Sequence, residues 1–283
     1  MIATRFAPSP TGRLHIGHAH SALLAQRSAR SAGGRLLLRI EDIDSTRCRP
    51  EFESAILEDL AWLGIEWDGP PRRQSEHLPE YAAVLDRLKS MEVVYPCFCT
   101  RGEILAEIAR AGQAPHGREG PVYPGTCRRL SVREREGRIA SGTVHAFRLD
   151  AERAADLAGP LSFDDSAHGS VAVDPGLLGD VVLARRDIGT SYHVASVTDD
   201  ALQGVSLIVR GDDLLEATHV HRLLQALLGY PEPAYHHHSL MTDEAGKRFA
   251  KRNRAVTIEE LRRSGRSPAE VRLLAGFPAR HPA

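Results

Sequence analysis

No apolar run in this chain approaches the ~18 residues that a membrane-crossing helix needs. The N-terminus lacks the basic, apolar and cleavage regions of a signal peptide. An excess of one charge is also missing. The formal net charge is −1, so no global field draws the chain to nucleic acid. Cysteine is scarce: with four in 283 residues and no leader, the expected setting is a reducing cytoplasm, where thiols bind metal more often than they pair. No internal repeat or low-complexity linker is visible. What is present, 42% hydrophobic and 26% charged residues, is ordinary for a globular protein of one large or two modest domains. Any contact with RNA has to come from local arginine clusters: Arg128-Arg129, Arg133 with Arg135, Arg185-Arg186, Arg252 with Arg254, and Arg262-Arg263 with Arg266. Most such clusters are solvated surface.

The most informative stretch is Pro8-Ser9-Pro10-Thr11-Gly12-Arg13-Leu14-His15-Ile16-Gly17-His18. It follows a β-like segment, Ile2 to Phe6, which the prolines end because they cannot donate to a sheet ladder. A helical pattern follows, with Ala22, Leu23 and Leu24 on its apolar face and Gly33-Gly34 as its stop. A strand, a tight turn and a helix N-terminus offer free N–H groups and a positive dipole end to an anion. Gly17 lets a flat base lie against the backbone, and His15 and His18, three apart, can donate to phosphate oxygens. The expectation is an ATP site.

Strand and helix alternate through the first third: Leu36 to Ile40 as strand, helices after Pro50 and Pro79. From about Tyr95 short strand-like pieces, glycines, prolines and cysteines intervene. The rhythm returns with Val181 to Ala184, Tyr192 to Ala201, Val205 to Val209 and Thr218 to Leu228. An insertion splitting one doubly wound domain is expected, with divisions at 1–94, 95–177, 178–256 and 257–283. Arg39-Ile40-Glu41-Asp42-Ile43-Asp44 follows the second strand, where open α/β sheets place binding residues. Glu41 there suits an amino acid's ammonium group, while Asp42 and Asp44 also suit helix capping. Cys97-Phe98-Cys99, Cys127 and Tyr123 offer three thiolates and one oxygen to a structural zinc. His116 is a rival fourth ligand, and Cys48 is left to pack. His236-His237-His238 lies inside a strand-like stretch and is assigned no function.

The Pro8–His18 run resembles the HIGH signature of class I aminoacyl-tRNA synthetases, and its proline-rich lead belongs to their glutamyl branch. Arg39–Asp44 resembles that branch's RxEDxD segment, Tyr192–Asp200 its YHLAxVVDD helix, and Ile208–Leu214 its VVRGxDL strand end. Arg248-Phe249-Ala250-Lys251-Arg252 resembles the KMSKS loop, with arginine for the first lysine and alanine for the serine. The resemblance implies an α/β fold with a Rossmann-type parallel sheet, split by a zinc-containing insertion and ended by a short helical tail. It implies ATP contacts from Pro8, Ser9, His15, Gly17, His18 and Lys251, with His15, His18 and Lys251 catalytic alongside Mg²⁺. It also implies a glutamate pocket from Arg5, Phe6, Ala7, Pro8, Ser9, Glu41, Tyr192 and Arg210. Arginine suits a dicarboxylic substrate because it binds carboxylate through two parallel hydrogen bonds; which arginine takes which carboxylate stays open.

Cys97, Cys99, Tyr123 and Cys127 match the zinc ligands of the short glutamyl-tRNA synthetase-like family. Few residues follow Val256, enough for helices such as Ile258 to Arg263 and Pro268 to Leu274, and this shortness also resembles that family. The implied reaction is ATP-dependent activation of L-glutamate, without tRNA, and its transfer to the queuosine base at the wobble position in the anticodon arm of tRNA(Asp). The alternatives are a truncated glutamyl-tRNA synthetase charging the tRNA 3′ end and a non-catalytic RNA-binding paralogue.

Overall fold

The computed structural model describes residues 1–111, 116–117, 120–241 and 256–277. The chain opens with β1 (Ala3–Phe6), α1 (Ile16–Ser31), β2 (Arg35–Ile40), α2 (Pro50–Trp62) and β3 (Arg72–Arg73). Next come α3 (Leu78–Ser90), β4 (Val94–Cys97), α4 (Arg101–Ala111), the short strands β5 (His116–Gly117) and β6 (Gly120–Pro121), and α5 (Val132–Ala140). Then follow β7 (Ala146–Leu149), α6 (Ala151–Ala158), β8 (Ser162–Asp165), β9 (Gly169–Ala172) and β10 (Val182–Ala184). The chain continues through α7 (Tyr192–Leu202), β11 (Leu207–Gly211), α8 (Leu215–Leu228), β12 (Ala234–His238), α9 (Ile258–Arg263) and α10 (Pro268–Leu274).

Local chemistry explains many of these boundaries. Pro50, Pro79 and Pro268 sit in the first turns of α2, α3 and α10, where a missing N–H is harmless. Thr257 with Glu260 and Ser267 with Glu270 form capping boxes at α9 and α10. α1 ends at Gly33, whose φ of +60° favours glycine. At Gly34 the next strand approaches the start of β1 so closely that a Cβ would lie 2.1 Å from the Ile2 carbonyl oxygen.

β1 pairs in parallel with β2, and β2 with β3. On the other side of β1, Ser206 donates its N–H to the Ala3 carbonyl at 2.9 Å, which sets β11 alongside. β11, β12 and β8 then run parallel, and β9 closes the edge antiparallel. The two ladders, β3-β2-β1 and β11-β12-β8-β9, therefore lie side by side in the spatial order β3-β2-β1-β11-β12-β8-β9. It reverses direction between β1 and β11, which opens a crevice beyond their carboxyl ends. α1, α2, α9 and α10 bury Leu23, Ile56, Leu60, Ile258 and Val271 in one cluster with β1 and β2. α3, α6, α7 and α8 form a second around Tyr81, Leu88, Val197 and Leu224.

Some strand pairings run across the expected divisions. β8 and β9, expected in the insertion at 95–177, belong to the main sheet. β10, expected in the second half of the catalytic domain, joins β7 and β4 in a small antiparallel sheet. The reason is long-range: Phe163 and Asp165 are buried by β12 and α8, residues remote from them in sequence. The small sheet is bonded into the second core through Leu149 and Leu183.

Candidate active site

The crevice floor is built on α7. Its sequence Tyr192–Leu202 is buried at eight positions, including Asp199 and Asp200. Asp200 receives Arg5 Nε at 2.9 Å and an Arg39 Nη at 2.8 Å. Asp199 receives Arg72 Nε at 2.7 Å, Gln74 Nε2 at 2.8 Å and the Tyr81 hydroxyl at 2.9–3.0 Å. Burial alone would raise the Asp200 pKa, but Arg39 and Arg5 outweigh it and hold the carboxyl below its ordinary value. Burial alone would lower that of Arg39; Asp200, Glu41 and Asp199 reverse this, so the guanidinium stays charged. Glu41 is pushed up by burial, against the pull of Arg39 and Arg5. A cationic ligand would favour its ionised form.

Arg210 stands at the end of β11 and is 5% exposed. Its Nε donates to His237 Nε2 at 3.0 Å. One Nη meets the Tyr192 hydroxyl at 3.1 Å and His221 Nδ1 at 3.3 Å, and the other meets Thr218 Oγ1 at 2.5 Å. Among the described residues, these hydrogen-bond partners are two imidazoles and two hydroxyls, with no carboxylate. Burial and the nearby Arg210 charge push His221 well below its ordinary pKa and His193, 3.2 Å from His221, down to about 4. Both rings are therefore neutral near pH 7. A buried guanidinium left without a counter-charge is a receptor for an anion.

His15 and His18 form the N-terminus of α1 in an unusual capping box. His15 Nδ1 accepts the Gly17 N–H at 3.1 Å, and His18 Nδ1 accepts the His15 N–H at 3.1 Å. Each ring must carry its proton on Nε2, which makes Nε2 a donor. Gly17 is needed beside the His15 ring: an added Cβ would lie 3.0 Å from His15 Cε1. An isolated bridge between His15 and Thr257, and the Ile258 N–H donated to the Leu14 carbonyl at 2.9 Å, tie this turn to the start of α9. Arg248, Ala250, Lys251, Arg252 and Arg254 lie outside the described residues.

A cavity of about 660 Å³ runs outward from Ser9, Glu41 and Tyr192 to Tyr123, Arg148 and Arg185. Asp42 reaches across to the short 3-10 helix Gln74–His77, taking the Ser75 N–H and hydroxyl at 2.8 and 2.6 Å. Asp44 binds Thr46 and Arg185, and Arg185 also pairs with Asp187. That leaves Arg185 less free for phosphate than its sequence position suggested.

Cys97, Cys99 and Cys127 place their sulfurs within 4.8 Å of one another. The Tyr123 hydroxyl lies 3.5 Å from both Cys97 and Cys99 Sγ. A tetrahedral zinc with sulfur ligands at about 2.3 Å and oxygen at about 2.0 Å would set edges of roughly 3.8 and 3.5 Å. The donor set fits that size. Cys48 packs 3.8 Å from Ser9 Oγ.

Sequence reasoning passed over Asp199 and Asp200 as anchors, and Thr218, His221 and His237 as partners of Arg210. Two adjacent acids in the Tyr192–Leu202 helix, beyond Val194 and Val197, were the available signal. The histidines carried none: His221 reaches Arg210 from α8, and only the sheet order brings His237 on β12 beside β11.

Residues 1–276 match the tRNA synthetases class I (E and Q), catalytic domain, and the chain belongs to this family. The α/β fold with its parallel sheet is the class I fold. More narrowly, the chain is similar along its length to proteins named glutamyl-Q tRNA(Asp) synthetase. That of Rhodobacter capsulatus is 51% identical over 98% of this chain and 100% of the relative. That of Symbiobacterium thermophilum is 44% identical over 96% of this chain and 84% of the relative. A crystal structure of glutamate-tRNA synthetase from Elizabethkingia anophelis superposes with a TM-score of 0.76 at 30% identity. The match covers 89% of this chain and 53% of that one, so this chain spans about half the length of that enzyme.

Proposed function

We propose that the chain activates L-glutamate with ATP and transfers it to the queuosine base at the wobble position of tRNA(Asp). The observation that carries the amino acid is the buried Arg210 guanidinium among neutral partners. It suits the side-chain carboxylate, and glutamine would leave its charge uncompensated. Arg5 is less available, since its Nε is committed to Asp200 and an Nη to the Val209 carbonyl. Glu41 suits the ammonium group, which leaves the α-carboxylate facing the nucleotide. End-to-end similarity to the Rhodobacter capsulatus protein supports the acceptor.

In this reading the α-carboxylate oxygen attacks the α-phosphorus in line and pyrophosphate leaves. His15 and His18 donate to phosphate oxygens from Nε2, Lys251 neutralises the α-phosphate, and Mg²⁺ accompanies the triphosphate. Positioning and charge stabilisation carry the rate, with no covalent enzyme intermediate. A hydroxyl of the modified base then attacks the mixed anhydride and AMP leaves. Cys97, Cys99, Tyr123 and Cys127 would hold a structural zinc. A cytoplasmic location accords with an RNA substrate, and no described helix is long and apolar enough to cross a membrane.

The test is glutamate-dependent ATP–pyrophosphate exchange without tRNA, followed by transfer of labelled glutamate. Label should appear on tRNA(Asp) carrying queuosine, survive nuclease removal of the 3′-terminal adenosine, and be absent when the wobble base is guanine. Label that requires the terminal adenosine of tRNA(Glu) would identify a glutamyl-tRNA synthetase instead.

A further inference from the structure

The neutrality of the Arg210 surroundings depends on residues beyond those that line the pocket. His237 accepts from Arg210 Nε only if its Nε2 is bare, so its proton must sit on Nδ1. The buried Asp165 takes that proton as a hydrogen bond, Nδ1 to Oδ2 at 2.6 Å. The same Oδ2 also accepts the His237 backbone N–H at 3.0 Å. Its other oxygen accepts the Ala167 and His168 backbone N–H groups at 2.8 and 3.0 Å, and the His168 ring stands 3.0 Å away. Asp165 is thus an anion with donors on both oxygens, fixed at the end of β8. Its partner His237 is on β12 and the guanidinium on β11, so the chain crosses three neighbouring strands.

We propose that Asp165 and His237 are positioning residues. By fixing the His237 tautomer they aim the Arg210 guanidinium and keep a competing carboxylate away from it, which makes the pocket selective for an acidic over an amide side chain. The inference rests on the glutamate reading above. Asp165 is kept one imidazole away from the arginine; were it in direct contact, it would neutralise the charge the substrate has to meet. The ring passes on orientation without passing on the negative charge. Thr218 completes the arrangement: its oxygen accepts from Arg210 and lies 2.9 Å from His237 Nε2, so its hydrogen can go to that bare nitrogen or to the Leu214 carbonyl at 3.2 Å.

The experiment uses the full chain in glutamate-dependent pyrophosphate exchange, with glutamine as competing substrate. His237→Leu removes the acceptor and should raise KM for glutamate about ten- to a hundredfold while kcat changes little, the loss expected for one bond to a charged group. His237→Gln, which restores an accepting oxygen, should recover most of that loss. Asp165→Asn offers an amide donor to Nδ1, so the ring proton moves to Nε2 and opposes the Arg210 N–H. KM should again rise, and the preference for glutamate over glutamine should fall. A folded His237→Leu or Asp165→Asn chain with parental KM and selectivity overturns the proposal. Histidine ¹⁵N shifts of the unmutated protein give an answer that does not depend on variant folding, with His237→Gln supplying the assignment: Nδ1–H supports the proposal, and Nε2–H overturns it. Absence of exchange in the parent chain would instead count against the glutamate reading, and the ¹⁵N result would still decide the tautomer.

Discussion

Two arginines share one crevice in opposite surroundings. Arg39, fully buried, stands 2.8 Å from Asp200, 3.5 Å from Glu41 and 3.8 Å from Asp199. Arg210 is nearly as far from water and, among the described residues, bonds only to imidazoles and hydroxyls. Removing an ion from water costs several kcal/mol even after relaxation. At Arg39 protein carboxylates offset that cost, so the residue holds β2 and α7 together. At Arg210 no described carboxylate does so, and the proposed glutamate would supply the offset. Burial is the same in both places, and the sign of the neighbours separates scaffold from receptor.

The comparison breaks most visibly if Arg210 is structural after all. Arg210→Met should lower kcat/KM for glutamate about 10²–10³-fold through the loss of a charged, two-bond contact. Its urea midpoint should stay level or rise, because an uncompensated buried charge has gone. A large fall in the midpoint would place Arg210 in the scaffold beside Arg39.

The converse holds at Asp200. Asp200→Asn leaves Arg39 and Arg5 without their shared anion and should destabilise the fold by about 3 kcal/mol, measured by urea unfolding. Unchanged stability with impaired glutamate binding would move Asp200 from scaffold to receptor.

A third test sets the crevice against the cysteine cluster. The protein should carry one zinc per chain by elemental analysis, and Cys127→Ser should lose it and loosen the region around β4 and β7, since thiolate ligation is linked to local folding. Glutamate-dependent exchange should remain measurable, because Arg210 and Glu41 are held by α7, β2 and β11. A metal-free parent protein with four reactive thiols would remove the zinc from this account.

The smallest effect concerns a buried charge of the opposite sign. Among the described residues both oxygens of Asp59 lack a hydrogen-bond partner, and the Arg262 guanidinium stands 3.8 Å away. Burial pushes its pKa up to about 6. The folded state therefore favours its neutral form more than the unfolded chain does. The penalty is complete above about pH 6 and fades as pH falls towards the ordinary carboxylate range. The melting temperature should rise on going from pH 7.5 to 5 relative to Asp59→Asn, which should be the more stable of the two at pH 7.5. Parallel pH profiles would show that Asp59 is ionised without strain.

Much of the candidate site's local geometry was legible because the residues proposed for it are close in sequence. His15 and His18 share one helical turn, Cys97 and Cys99 are two apart, and Glu41 directly follows a strand. Helix starts were legible for the same reason: Pro50, Pro79 and Pro268 act within one turn. The pairing of β8 and β10 was not, because it is set by partners far along the chain and not by their own short sequences. The His236–His238 tract is the sharper case. Nothing local distinguishes His237 from its neighbours, yet it alone of the three bonds to Arg210.

The sequence by itself determined the alternation of strand and helix, the turn that builds a helix N-terminus on two histidines, and the supply of arginines, acids and thiols. These follow from periodicity and from contacts within a few residues. The order of the strands was decided only by the tertiary structure, and with it which arginine lies against carboxylates and which against neutral rings. A charge's role depends on the sign and distance of groups brought to it from elsewhere in the chain, and those distances exist only once the sheet has closed.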